Sequence, residues 1–252
     1  MRNFRLIIEY DGTNYSGWQR QAQEPTVQAE IERALAVMTR STVTVTGAGR
    51  TDAGVHALGQ AANFRCDTRL EPEAILRGLN SLLPGDIAIR DCRRMPEGFH
   101  ARFDAKSKVY HYRILNRAAR AAVGRDYAWF IHRPLNLAAM RRATADLVGR
   151  HDFKAFESTG SPRAHTLRNV ETADWVEGED HCLVFRIEAD GFLRGMVRNI
   201  VGTLVAVGLG RLAPGDIRVI MDARDRKRAG AAAPARGLFL MSVRYEPAPD
   251  RS

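Results

Sequence analysis

Along this chain the spacing of apolar residues switches between two and 3.6 residues, in nearly the same order twice over. That order limits the possible folds more than any single motif does. Residues 4–10 read as a strand broken by Asp11-Gly12, and a polar loop through Trp18-Gln19-Arg20-Gln21 follows. Thr26 is then placed to cap a helix whose apolar face is Val27, Ile31, Ala34, Leu35 and Met38. Strands are expected at 42–46 and 60–66. Pro72 opens a second helix with Ile75, Leu76, Leu79 and Leu83 on one side, Pro84-Gly85 ends it, and 87–92 is a further strand.

After residue 105 the order starts again. Residues 108–115 alternate as a strand, and 116–126, rich in alanine and arginine, form a connector. Asn136 caps a helix with Leu137, Met140, Thr144, Leu147 and Val148 inward, which Gly149 ends. Residues 168–176 and 181–189 form a hairpin across Glu177-Gly178-Glu179-Asp180. A strongly apolar helix from Met196 to about Val207, a shorter one over 214–223 and a strand over 238–245 complete the chain. The reading is an α+β protein of two ferredoxin-like βαββαβ halves, 1–105 and 106–252, the second with one added helix. Their antiparallel sheets flank a central RNA-binding cleft in this reading, a seat for a nucleic-acid stem.

Composition narrows the partner. The 252 residues carry a formal charge of +9, and lysine occurs only at 106, 108, 154 and 227, so the excess is arginine. A GC-rich genome accounts for the arginine-to-lysine ratio but not for the net charge, and a planar guanidinium binds two phosphate oxygens at once. Nucleic acid is therefore the first partner expected, ahead of a membrane surface. No apolar run reaches ~18 residues, and the start lacks a signal-peptide core. Cys66, Cys92 and Cys182 are few, odd in number and far apart, which fits reduced thiols in a cytoplasm. No histidine or cysteine spacing suggests a metal, and none is expected.

Three stretches are candidates for chemistry. In Gly47-Ala48-Gly49-Arg50-Thr51-Asp52-Ala53-Gly54-Val55-His56, three glycines surround one acid, so the loop can fold tightly and still admit a bulky partner. Asp52 is either an ordinary turn aspartate or a catalytic carboxylate kept ionised by a guanidinium such as Arg50. On 108–115, Tyr110, Tyr112 and Ile114 share a face. Each tyrosine is either a core aromatic or a platform for a base, and Lys106, Lys108 and Arg113 lie alongside. Arg194 and Arg198 sit at the start of an apolar helix, where a partly buried cation needs an anion: a structural glutamate or Asp52. The run Arg224, Arg226, Lys227, Arg228 reads as a solvated face.

Taken together these blocks resemble the TruA family of tRNA pseudouridine synthases. The resemblance runs from Tyr10-Asp11-Gly12-Thr13 and Gly17-Trp18-Gln19-Arg20 to Gly237-Leu238-Phe239-Leu240. Its most specific block is 49–57 with Gly59-Gln60. Leu83-Pro84-Gly85-Asp86-Ile87, Phe99-His100-Ala101-Arg102-Phe103, Tyr110-His111-Tyr112 and Met196-Val197-Arg198-Asn199-Ile200-Val201-Gly202 add to it. The resemblance implies Asp52 as the essential aspartate, Arg50 as the residue that helps displace the target base, and Tyr110 as the residue that stacks on it. It implies Arg198 as the acid's basic partner and Leu238 as an apolar lining of the base pocket. It also implies a cofactor-free homodimer acting on uridines 38, 39 and 40 of the tRNA anticodon stem-loop, with no departure at these positions.

The residues suit that chemistry. Pseudouridine forms when the C1′–N1 bond breaks, the base turns and C5 rejoins C1′, with neither hydrolysis nor net redox change. A fixed carboxylate serves either by attacking C1′ or by removing a proton from C2′, and the sequence does not separate the two. The alternatives are a catalytically inactive RNA-binding protein on the same scaffold and a carboxylate glycosidase, which needs a second acid that the sequence does not place near Asp52.

Overall fold

The structure, a computed structural model, describes residues 1–160 and 165–246. The chain divides into one compact unit built from Met1–Lys106 together with the stretch from Phe239 onward, and a second built from Ser107–Leu238.

In the first unit the order is β1 (Arg2–Tyr10), α1 (Val27–Thr39), β2 (Val45–Gly47), β3 (His56–Cys66), α2 (Pro72–Leu82) and β4 (Ile87–Met95). That is the β-α-β-β-α-β order expected from the pattern. Strand β1 is central, antiparallel to β3 on one side and to β4 on the other. Strong alternation explains it, since Phe4, Leu6, Ile8 and Tyr10 are all buried. The apolar stripes of the two helices supply Val27, Ile31, Ala34, Leu35, Ile75 and Leu79 to the core. A smaller buried cluster of Ala48, Ala61, Phe99 and Ala101 packs against the partly buried Ile7, Met95, Val243 and Tyr245. Thr26 precedes α1 as expected, but its hydroxyl makes no capping bond and is buried without a partner. Its backbone carbonyl, accepting from Glu30 at 3.2 Å, begins the helix instead.

The second unit runs β5 (Ser107–Leu115), β6 (Trp129–Phe130), α3 (Leu137–Ala145), β7 (Gly149–Asp152), β8 (Leu167–Glu177), β9 (Cys182–Ala189), α4 (Met196–Gly208) and α5 (Asp216–Ala223). Strands β5, β9, β8 and β7 are neighbours in that order. Asn136 caps α3 as expected, its side chain accepting from the Ala139 amide at 3.0 Å. The helix stops at Ala145, though, and Gly149 starts β7 with φ +104°, so Val148 is exposed and not inward. In the core, Trp175 lies 5.1 Å from Phe185 and donates its indole N–H to Thr144 Oγ1 at 3.0 Å.

Strand β10 (Leu238–Arg244) adds to β3 in parallel, pairing Phe239 with His56 and Leu240 with Ala57. Strand β6 likewise adds to β5 in parallel. The architecture is mixed α+β with mixed sheets, which corrects the expectation of antiparallel ones. Parallel partners are joined by long connections, so nothing in the local sequence announces them.

All three cysteines are free thiols. Burial raises the pKa of each, that of Cys92 to about 12. At pH 8 the native protein should therefore react slowly with a thiol reagent such as DTNB, with the less buried Cys182 first. Urea-unfolded protein should release a signal for three thiols at once. Fast native labelling would contradict this packing.

Candidate active site

Asp52 lies half-buried on the loop between β2 and β3, and its neighbours are held from several sides. The Thr51 carbonyl accepts from the Trp18 amide at 3.1 Å, and the Thr51 hydroxyl shares a 2.8 Å hydrogen bond with the Tyr10 phenol. The Gly54 amide donates to Tyr15 O at 3.3 Å, and the Val55 amide closes the turn onto Asp52 O at 3.2 Å. Gln60 Nε2 donates to Gly49 O at 2.9 Å. A turn is present, as one of the two readings of Asp52 expects, yet this turn is fixed to the end of β1, the Trp18 loop and β3. Such support keeps a reacting group where it is needed.

Burial raises the Tyr10 pKa to about 12, so its phenol stays neutral at any working pH. Tyr10→Phe would leave the buried Thr51 hydroxyl without its partner, a loss of about 1–3 kcal/mol. We expect a lower urea midpoint, and an unaltered midpoint would remove Tyr10 from the support of this loop.

Two glycines explain why the N-terminal blocks accompany the aspartate. A Cβ on Gly12 would lie 2.1 Å from Val55 O, and one on Gly17, whose φ is +99°, would lie 2.6 Å from Thr51 O. Backbone can approach this closely only where no side chain intervenes. The Gly12 amide also donates to His56 Nδ1 at 3.1 Å, and the His56 ring stacks on Phe239 at 4.7 Å. Tyr15 donates to Asp86 Oδ1 at 2.6 Å, while Asp86 O accepts from the Asp11 amide at 2.9 Å. The blocks at 10–13, 17–20, 49–57 and 83–87, separate in sequence, thus meet around one loop. On the polar loop expected through Trp18-Gln19-Arg20-Gln21, Trp18 itself is only 3% exposed, packed over Gly47.

Arg50 shares the loop but is exposed, and among the described residues it makes no ion pair with Asp52.

The other candidates belong to the second unit. Tyr110 is buried on β5 and makes an edge-on contact with Phe192 at 5.0 Å. Its neighbour Tyr112 is wholly buried and donates to Pro234 O at 2.7 Å, so it is the core aromatic of the pair. Arg198 lies half-buried in the first turn of α4. Its Nε donates to Ala233 O at 2.7 Å while its own carbonyl accepts from the Ala233 amide at 3.0 Å. This two-way link fixes where the guanidinium points. Arg194 lies before the helix, exposed, and donates to Thr159 O at 3.1 Å. Leu238 is buried at the end of the unit.

Sequence reasoning missed one structural arginine. Arg226, read as part of a solvated run, turns inward: Nη2 donates to Asn199 Oδ1 at 2.9 Å and Nη1 to Gly230 O at 3.0 Å. Burial pushes its pKa down. Asn199 in turn donates to Phe156 O at 2.8 Å, and the Gly230 amide donates to Thr203 Oγ1 at 2.9 Å. The alanine-rich stretch after 229 is thereby clamped along α4, next to Arg198. Arg224 fits the solvated reading, pairing at the surface with Asp152 at 2.8 Å.

Among the described residues, no group of three or more His, Cys, Asp or Glu side chains is placed to hold a metal ion. Nor is any helix among them long and apolar enough to cross a membrane.

The family described as tRNA pseudouridine synthase matches residues 6–104 and 143–246. The chain belongs to this family. The tRNA pseudouridine synthase A of Thermoanaerobacter sp. (strain X514) is 44% identical over 97% of this chain and 100% of its own length. Its namesake from Acetivibrio thermocellus is 45% identical over the same shares. The crystal structure of the archaeal box H/ACA sRNP Nop10-Cbf5 complex aligns at 11% identity with a TM-score of 0.36, over 80% of this chain and 44% of that one. That likeness is too distant to bear on the fold. The enzyme is thus a tRNA pseudouridine synthase, an isomerase of the TruA family, and the fixed loop around Asp52 is its candidate active site.

Proposed function

We propose that this enzyme isomerises uridine to pseudouridine at nucleotides 38, 39 and 40 of the tRNA anticodon arm, with Asp52 as the acting carboxylate. The observation that carries this is the support of Thr51 and Gly54, which holds the intervening acid on a rigid loop. The target uridine leaves its stack at a cost of a few kcal/mol, which Arg50 and the Tyr110 ring offset. Asp52 then acts at C1′, or at C2′ by proton removal. Arg198 serves the acid as its basic partner, and Leu238 lines the space in which the freed uracil turns. These roles rest on the family resemblance and on the anchoring of each residue within its own unit. By the same resemblance the enzyme works as a homodimer in the cytoplasm, without a cofactor.

The test is tritium release from unmodified tRNA transcripts carrying 5-³H-uridine. Release is expected from transcripts with uridine at 38, 39 or 40, and none from a transcript with cytidine at all three. Release from the cytidine transcript would place the target elsewhere. Binding without any release would favour the inactive RNA-binding alternative.

A further inference from the structure

The connector after β5, which the sequence leaves without structure, is a closed loop with a cavity in it. Asn116 ties its ends together: Nδ2 donates to Ile131 O and to Arg133 O, both at 2.8 Å, and Oδ1 accepts from the Leu135 amide at 3.1 Å. Strand β6 returns beside β5, pairing Phe130 with Leu115, and Ile131 donates to Leu115 O at 2.9 Å. Between the loop and the turn at 235–237 lies a cavity of about 270 Å³. Leu115 and Phe130 give it apolar walls, and Arg120, Arg125 and Arg236 line it with a single acid, Asp126. Arg125 and Asp126 approach no closer than 3.5 Å, with both side chains largely exposed. Among the described residues neither Arg120 nor Arg236 has an ion-pair partner.

Three guanidiniums against one carboxylate leave an excess of positive charge around a space near the lower bound for a small-ligand site. Arginine forks select phosphate, and an aromatic wall selects a planar ring, so the chemistry required is that of one nucleotide. Position argues which nucleotide. A Cβ on Gly237 would lie 2.7 Å from the Tyr112 ring and 2.8 Å from Arg113 O, so the turn that borders the cavity lies against the strand that carries Tyr110. Leu115 is five residues beyond Tyr110 on β5, about 17 Å at the usual strand rise. A nucleotide held there is not the target.

We propose that this cavity is a subsite for one nucleotide of the tRNA strand near the target uridine, its phosphate on Arg120 and Arg125 and its base or ribose against Phe130. The proposal rests on the tRNA reading above and adds a second grip to it. Because the Asn116 side chain and the Ile131 amide tie the loop at its base, the cavity is formed before the RNA arrives.

The test measures tRNA binding by filter retention in an Asp52→Asn background, so that turnover does not intervene, across a range of salt concentrations. With Arg120→Ala and Arg125→Ala combined, we expect Kd to rise about 10-fold near 0.1 M salt. The slope of log Kd against log salt should fall by about 2, one for each arginine that no longer grips a phosphate. The Arg120→Lys and Arg125→Lys pair should keep the slope, since the charge remains. Thermal melts matching the parent exclude misfolding as the cause. An unchanged Kd and slope in the alanine pair, or an equal loss of slope in the lysine pair, overturns the subsite. So does calorimetric binding of free 5′-UMP that the alanine pair abolishes while its tRNA affinity stays at the parent value. Tritium release by the wild type is the separate control: its failure would count against the synthase reading and not against the cavity.

Discussion

Replacing Asp52 with asparagine should abolish tritium release, lowering the single-turnover rate at least about 10⁴-fold, the scale seen when a reacting group is removed from an otherwise intact site. The amide keeps the size of the side chain, and the loop is held by backbone and by Thr51, not by the carboxylate alone, so the fold should survive. Affinity for tRNA should stay equal or rise slightly, because a negative charge beside a polyanion has been removed. Lost activity together with lost binding would mean that Asp52 shapes the loop and does not act on the substrate. Retained activity would end the case for this carboxylate altogether.

The second large effect is expected at a residue that touches no substrate. A Cβ on Gly202 would lie 1.7 Å from Ala231 O, so helix α4 and the stretch after 229 meet backbone to backbone. Gly202→Ala must push them apart, at an overpacking cost near the upper end of the usual range, about 3 kcal/mol. For a chain of this size that corresponds to a melting point lower by roughly 10 °C. Because Ala233 holds Arg198 through Nε, the separation should also slow the reaction even where the protein remains folded. Gly98→Ala is the control: nothing lies within 4 Å of its Cβ position, and its stability should change by less than about 0.5 kcal/mol. Equal melting points for the two variants would contradict the clamp.

The parts of this fold legible in the sequence were those set by local physics. Helical periodicity located α1, α2 and α4, and Asn136 announced its helix because capping needs only neighbouring residues. The threonine alternation at 42–46 misplaced β2, which begins at Val45, since alternation alone does not say where a partner strand is in reach. The short strands β6 and β7 escaped notice because two to four residues carry no usable period. At the site, the glycines around Asp52 signalled a tight loop. What holds that loop, Tyr10 on Thr51 and Trp18 over Gly47, depends on distant segments coming together, which no window of sequence contains. Arg226 shows the same limit. A basic run looks solvated until tertiary structure supplies the carbonyls for one of its members.

The strand that begins at Leu238 has a consequence for how the molecule is made. Phe239 and Leu240 complete the edge of β3, Met241 packs against Gly59, and Tyr245 donates to Ala101 O at 2.9 Å. The unit containing Met1–Lys106 thus waits for the stretch from Phe239 to Tyr245. On a ribosome its sheet edge emerges early and stays unpaired while the whole of Ser107–Leu238 is translated, an interval of several seconds or more at ordinary elongation rates. The aspartate loop borders that edge, so a nascent chain cannot hold this loop against a finished sheet before Phe239 and Leu240 have emerged and paired.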